Sequence, residues 1–350
     1  MRGLLIVVLI LSAATSATAS ARTEPSRAEV ALGTVCLVYL YDRGTNRVYQ
    51  EIFSRINEIE KLMSVNIYGT DVARVNAAAG TKPVQVHEDT FTVIERAVYF
   101  AGLSGGAFDP TVGPLVSLWD IAGENPRVPP QAEIDDVLPL INWRNIELDR
   151  EQCSVFLKHS GMALDLGAIA KGYAAGEAAA VVEKSGIKQA IINLGGDIVV
   201  CGEKRDKSPW RVGVQNPHKE RGSFLGILQV SAAAAAAGSA AGGGQQAVVT
   251  SGVYERFFEK DGTRYHHIFS PFSGYPANNG LLSVTVIADN AADADALSTA
   301  VFVLGYEKGK ELIESLPGAE AVFVFEDMSV RKTSGANFKL TDNAFHLKNN

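Results

Sequence analysis

Basic clusters are absent from this chain. Its formal net charge is −7, and no run or stripe of Lys and Arg appears. Nucleic-acid binding is therefore excluded as the main activity, because neutralising a phosphate backbone needs clustered cations. Cysteine is scarce: Cys36, Cys153 and Cys201 are far apart and form no CxxC pair. In an oxidising compartment this odd count leaves a thiol unpaired unless it pairs between chains. The plain reading is of small apolar residues inside strands. Charged residues make up only 20% of the chain against 47% hydrophobic, so a sizeable core forms and disorder is excluded. No apolar run is long enough to span a bilayer. The longest candidate, Leu4 to Leu11, follows Arg2 and precedes Ala17-Thr18-Ala19, a small-residue cleavage pattern. Residues 1–19 read as an export signal, with an N-terminal membrane anchor as the alternative. No cysteine there supports a lipid anchor. The remainder, 20–350, reads as one domain at a length that allows one large or two intimate domains.

Periodicity gives a mixed architecture. Residues 29–41 read as an opening strand, and residues 45–63 as a helix with Val48, Ile52, Ile56, Ile59 and Met63 on one face. A second amphipathic helix follows Asp89. Residues 106–150 read as loops and short helices. Residues 164–185 read as a strand end, a glycine turn and a helix. Asp261-Gly262 marks a hairpin. Residues 281–288 and 320–326 read as strands, with a helix from near Asp293 to Leu304. Strands in antiparallel clusters separated by helices give an α+β fold. Residues 231–244, SAAAAAAGSAAGGG, form a low-complexity surface insertion.

Four constellations bear chemistry. In Asp165-Leu166-Gly167-Ala168-Ile169-Ala170-Lys171-Gly172, a helix start offers N–H groups to an anion and Lys171 adds charge. An ordinary capped helix with a solvated lysine fits the same pattern. In Asp289, Asp293, Asp295, Ser298 and Thr299, helical spacing puts Asp295 and Thr299 on one face as hard oxygen ligands suited to Mg²⁺. Acids gathered at a helix N-terminus for its dipole fit as well. Residues 106–115, around Ala107-Phe108-Asp109, form a Pro/Gly-stiffened loop that suits a flat ligand or serves structure alone. In Tyr265-His266-His267-Ile268, adjacent residues point to opposite faces, so only one histidine can face a given pocket. The pair lacks the HExxH zinc pattern, and no third zinc ligand is evident.

Taken in order, ALDLGAIAKGYAAG, INLGGDIVVCGE, TSGVYERFF, YHHIFSPFSGYP and DADALSTAVFVLG resemble the motifs of ApbE-type FAD:protein FMN transferases, from about Leu32 to about Phe325. Any one of these is weak; the ordered set is specific. The resemblance implies a T-fold-like α+β architecture of antiparallel sheets with packed helices, FAD as substrate and Mg²⁺ at its pyrophosphate. It implies Ala168, Asp295 and Thr299 as metal ligands. It places Leu32, Asn66, Ala107, Phe108, Asp109, Asp165, Lys171, His267 and Ile268 around FAD, with His267, Asn66 and Asp295 nearest the chemistry. It implies attack by a Ser or Thr hydroxyl of an acceptor protein, such as a subunit of a membrane electron-transfer complex, with release of AMP.

Two departures stand out. Met63-Ser64-Val65-Asn66 carries Asn66 where transferases commonly have Tyr, and members with Asn resemble FAD pyrophosphatases that yield FMN and AMP. A shorter side chain there leaves room for water. The insertion at 231–244 precedes the Thr250-Ser251-Gly252 motif, as a lid or as slack. A periplasmic flavin-binding protein without catalysis is the alternative of another class. Lys332 to Asn337 faintly resembles a flavinylation target but ends in Asn, and self-modification is not expected.

Overall fold

The computed structural model describes residues 26–232 and 244–348. The export segment at 1–19 lies outside the described residues, as does most of the insertion, 233–243. Strands β1 (Ser26–Ala31) and β2 (Thr34–Leu40) lead into helices α1 (Asn46–Met63) and α2 (Asp71–Ala77), strand β3 (Val84–Gln85) and helix α3 (Glu88–Leu103). Helices α4 (Gly113–Trp119) and α5 (Gln131–Val137) precede β4 (Ile146–Asp149) and β5 (Ser154–Leu157). Helix α6 (Ala170–Lys184) is followed by β6 (Ala190–Leu194), β7 (Asp197–Cys201), β8 (Trp210–Gln215), β9 (Phe224–Val230) and β10 (Gln245–Gly252). The hairpin β11 (Phe257–Lys260) and β12 (Thr263–His266) turns at Asp261-Gly262, as the sequence predicts. Strand β13 (Leu281–Ala288), helices α7 (Ala291–Leu304) and α8 (Tyr306–Glu314), and strands β14 (Glu320–Phe325), β15 (Ser329–Lys332), β16 (Phe338–Leu340) and β17 (His346–Leu347) complete the chain.

Nine strands form the main sheet in the order β1-β2-β6-β7-β10-β13-β14-β15-β17. Every pair is antiparallel except β15 with β17, so the α+β expectation holds. Helices α1, α6, α7 and α8 pack side by side in that order, and α6 lies against β6 and β7, α7 against β10 and β13, α8 against β14. Helix α7 is buried on nearly every side, including Ala294, Ala296, Leu297, Ala300, Val301 and Phe302. This fits its composition, mostly alanine, valine, leucine and phenylalanine with Asp295 and Ser298 also buried; a helix largely apolar on all sides belongs in a core. Helix α1 buries Tyr49, Ile52, Phe53, Ile56, Ile59 and Met63 at three- and four-residue spacing, while Thr45 caps its start by accepting from the Val48 N–H at 3.3 Å.

The opening segment departs from the sequence reading. Residues 29–41 form a hairpin instead of one strand, because Leu32 (φ 53°) and Gly33 (φ 67°) both take the left-handed conformation of a two-residue turn. Leucine in that region carries backbone strain, of order 1–2 kcal/mol. This turn lies at the end of the sheet shared by the β6–β7 turn at Gly195-Gly196, since Cys36 pairs with Leu194. The two turns touch: a Cβ on Gly195 would stand 2.4 Å from Thr34 Oγ1. Helix α1 begins at the opposite end, where Arg27 donates to Asn46 at 3.4 Å, and so delivers the 64–70 loop toward the turn end.

A satellite core of Leu115, Trp119, Ile121, Ile134 and Phe269 joins α4 and α5 to the β11–β12 hairpin. Trp119 Nε1 donates to the Gly274 carbonyl at 2.9 Å and locks the loop after His267 to α4. Ile268 belongs to the main core and Phe269 to the satellite, so the histidine pair sits at their junction. The insertion is rooted away from the turn end. Ser231 N–H donates to Gln246 at 3.2 Å and Gly202 N–H to Gly244 at 2.6 Å, whereas Ser251 lies at the other end of β10. At roughly 3.3 Å per residue, the seven steps from Gly244 to Ser251 cover about 23 Å.

Candidate active site

The start of α6 is held open by local hydrogen bonds. Asp165 Oδ1 accepts from the Gly167 N–H at 2.7 Å, and the Asp165 N–H donates to the Pro110 carbonyl at 2.9 Å. Burial raises the Asp165 carboxyl above its ordinary range, opposed by the Gly167 N–H and by the charge of Arg256. Ile169, the residue before the helix, provides no side-chain cap. The anion at this helix start comes from the protein itself: the Gly172 N–H donates to Asp295 Oδ2 at 2.9 Å. Gly172 permits the approach, because a Cβ there would stand 2.2 Å from the Ala291 carbonyl oxygen and 2.7 Å from Asp295 Cβ.

Lys171 follows the same logic. The sequence reading has it adding charge for an external anion; the structure commits it to two carboxylates. Its ammonium pairs with Asp197, and it lies 3.4 Å from both oxygens of Asp295. Burial works against the charge, but Asp197 and then Asp295 outweigh it and hold Lys171 above the usual lysine range. Asp197 escapes the sequence reading; it is 4% exposed and starts β7 directly after the Gly195-Gly196 turn. Asp295, 2% exposed, is raised by burial and by repulsion from Asp197, with Lys171 and the Gly172 N–H opposing. One lysine thus faces two buried acids, and the cluster carries excess negative charge.

Four residues beyond Asp295, Thr299 Oγ1 lies 3.1 Å from Ser251 Oγ, which also contacts Ser298 Oγ at 2.8 Å. The expected shared face of Asp295 and Thr299 on α7 is present, and β10 adds the Ser251 hydroxyl. The donor set is all oxygen: one buried, under-neutralised carboxylate and neutral hydroxyls. A small hard cation fits it, since such ions take few protein ligands and relieve buried negative charge. Among the described residues no three His, Cys, Asp or Glu side chains gather as a metal site, as a softer transition metal would ask.

The two histidines take different duties. His266 is buried; its Nδ1 accepts from the Ile268 N–H at 3.3 Å, so Nε2 carries the proton and donates to the Ala277 carbonyl at 3.0 Å. Burial first, then Arg264, push it down to about 4, against the Ala277 bond. His267 is half-buried, and its Nδ1 faces the Arg256 carbonyl at 3.2 Å. A carbonyl only accepts, so Nδ1 holds the proton and Nε2 keeps its lone pair. Burial and the charge of Arg256 push His267 down to about 3, against that bond, which leaves it neutral at pH 7.

The remaining expected residues divide. Leu32 is half-buried in its strained turn, near Arg256: a Cβ on Gly33 would lie 3.7 Å from Arg256 Nη2. Ala168, half-buried, immediately precedes Ile169 in the loop that opens α6. Ala107, Phe108 and Asp109 are buried. Asp109 spends its oxygens on the protein, accepting from the Thr111 N–H (2.8 Å), the Thr111 hydroxyl (2.6 Å) and the Trp143 N–H (3.0 Å). These bonds fix the loop's shape. Asn66 is exposed in the loop between α1 and α2, where its N–H donates to Ser64 Oγ at 3.2 Å. No hydrogen bond joins its side chain to the cluster. Thr333 is 1% exposed and accepts from the Ala321 N–H at 2.8 Å.

This arrangement can be set beside known proteins. The model of the ApbE family matches residues 32–323. The chain belongs to the ApbE family. It is 37% identical over 349 residues to an FAD:protein FMN transferase of Treponema pallidum, covering 94% of this chain and 92% of that protein. It is also 37% identical over 305 residues to an FAD:protein FMN transferase of Klebsiella pneumoniae, with 87% and 90% covered. Among solved structures, the ApbE protein of Thermotoga maritima superposes with a TM-score of 0.77 at 33% identity, over 91% of this chain and 96% of that one. The flavin transferase ApbE of Vibrio cholerae gives a TM-score of 0.73 at 27% identity, over 91% and 97%.

Proposed function

We propose that this ApbE-family chain is a periplasmic, Mg²⁺-dependent FAD:protein FMN transferase. It moves FMN from FAD to a Ser or Thr hydroxyl of an acceptor protein and releases AMP. The observation that carries the reading is the buried Asp295. It is seated on the Gly172 N–H and beside Lys171, one helical turn from Thr299, in a chain whose relatives bear that name. Export rests on Arg2, the apolar Leu4–Leu11 run and Ala17-Thr18-Ala19. The acceptor's chemistry is a hydroxyl in a short Ser/Thr motif, in the resemblance's terms on a membrane electron-transfer subunit.

Asp295, Thr299 and the Ala168 carbonyl would hold the Mg²⁺, which supplies neutralisation of pyrophosphate charge. The chain's own residues do the rest. Neutral His267, aimed by its bond to the Arg256 carbonyl, accepts the acceptor hydroxyl's proton at Nε2. The hydroxyl oxygen bonds to the FMN-side phosphorus, the bridging P–O bond breaks, and AMP departs with that electron pair. The burial of Asp295 strengthens each electrostatic contact there relative to water.

Hydrolysis of FAD to FMN and AMP is the second reading, favoured by exposed Asn66, which leaves room for water where a ring would exclude it. The test incubates mature protein with FAD and Mg²⁺, with and without an acceptor peptide, and quantifies AMP, free FMN and peptide-bound FMN. Peptide-bound FMN that disappears with EDTA and in Asp295→Ala is the expected result. Free FMN alone supports hydrolysis, and FAD binding without AMP leaves only a flavin-binding protein.

A further inference from the structure

The cations around His267 and Asp295 are unequally committed. Lys171, the one in the helix-start motif, is paired with Asp197 and lies against Asp295. Arg256 is different. The carboxylate next to it, Glu255, is taken by Arg221, and among the described residues no carboxylate pairs with the Arg256 guanidinium. The side chain is exposed and lies over the Leu32–Gly33 turn, 3.7 Å from where a Gly33 Cβ would stand. Its charge reaches both Asp165 and His267. Its backbone carbonyl accepts from the His267 N–H at 3.1 Å and from Nδ1 at 3.2 Å. One residue therefore aims the histidine through its main chain and leaves a five-donor planar cation free beside it.

We infer that the Arg256 guanidinium is a substrate-binding group that grips phosphate oxygens of the dinucleotide beside His267. The inference rests on the flavin-transfer reading. A pyrophosphate brings negative charge to a cluster that already holds more carboxylate than lysine, so an uncommitted cation is what its approach requires. Guanidinium matches phosphate in a forked, charge-assisted geometry. Removing the side chain leaves the main-chain clamp on His267 in place, which separates gripping from aiming.

The test measures FAD affinity by flavin fluorescence in EDTA, so that turnover does not intervene, for the wild type, Arg256→Gln and Arg256→Lys. Thermal unfolding is recorded alongside. Arg256→Gln is expected to weaken FAD roughly tenfold or more, with an unchanged melting temperature and a shallower salt dependence. Arg256→Lys restores part of the affinity as a point charge. Affinity within about twofold of wild type, an unaltered salt dependence, or a melting temperature that falls in step overturns the inference. Wild-type protein that binds no FAD either in EDTA or with Mg²⁺ restored sinks the transfer reading itself, and this inference with it.

Discussion

Gly172 and Gly176 lie one turn apart on α6, and alanine at the two positions is expected to act in opposite directions. At Gly176 a Cβ would meet Ala291 Cβ at 3.9 Å, an ordinary contact. Alanine there gains helix propensity, so Gly176→Ala should stabilise the protein by about 0.5–1 kcal/mol. At Gly172 the same atom would stand 2.2 Å from the Ala291 carbonyl oxygen and 2.8 Å from its carbon, both backbone. No rotamer relieves that overlap; α6 must move from α7. Overpacking costs about 1–3 kcal/mol, and the propensity gain of about 1 kcal/mol offsets only part. The movement also pulls the Gly172 N–H from Asp295 Oδ2, now 2.9 Å away. Urea unfolding should therefore show Gly172→Ala destabilised and Gly176→Ala stabilised, and FMN transfer should fall at least about tenfold only in the first. Equal stability and activity in the two variants would refute the helix contact as the device that seats Asp295.

His267→Ala should cut peptide-bound FMN formation about 10²–10⁴-fold while FAD still binds, as fits a proton acceptor; a purely structural role would lower both together. Asn66→Tyr should raise the ratio of peptide-bound to free FMN, and an unmoved ratio removes Asn66 from the partition between hydroxyl and water. Stability should fall with acid through His266. Its folded value is about 4 against an ordinary 6.5, so the unfolded chain binds the proton first and stability is lost as pH drops from 6.5 toward 4. That shift corresponds to about 3 kcal/mol, with His267 adding in the same sense. Unfolding midpoints at several pH values should show a shallower acid loss in His266→Gln; identical slopes would contradict it.

Much of the frame was legible because it depends on local pattern. The apolar spacing of Ile52, Ile56, Ile59 and Met63 marks the buried face of α1, and Asp295 with Thr299 follows from helical spacing. What was hidden depends on pairing between distant segments. Asp197 becomes the partner of Lys171 only because β6 and β7 form a hairpin whose turn meets the β1–β2 turn. The break at Leu32-Gly33 was masked by a leucine in a conformation that normally favours glycine. The carboxylates beside Lys171, Asp197 and Asp295, come from segments that sequence spacing cannot bring near it. The base of His267 is defined by a carbonyl eleven residues earlier, across the β11–β12 hairpin.

The most direct measurement is the stoichiometry of a single incubation of the mature protein with FAD, Mg²⁺ and an acceptor peptide. AMP and peptide-bound FMN are followed together over time. The two are expected to appear in equal amounts, and neither is expected when the peptide's hydroxyl residue is replaced by Ala. AMP rising without bound flavin would contradict transfer and leave hydrolysis as the activity.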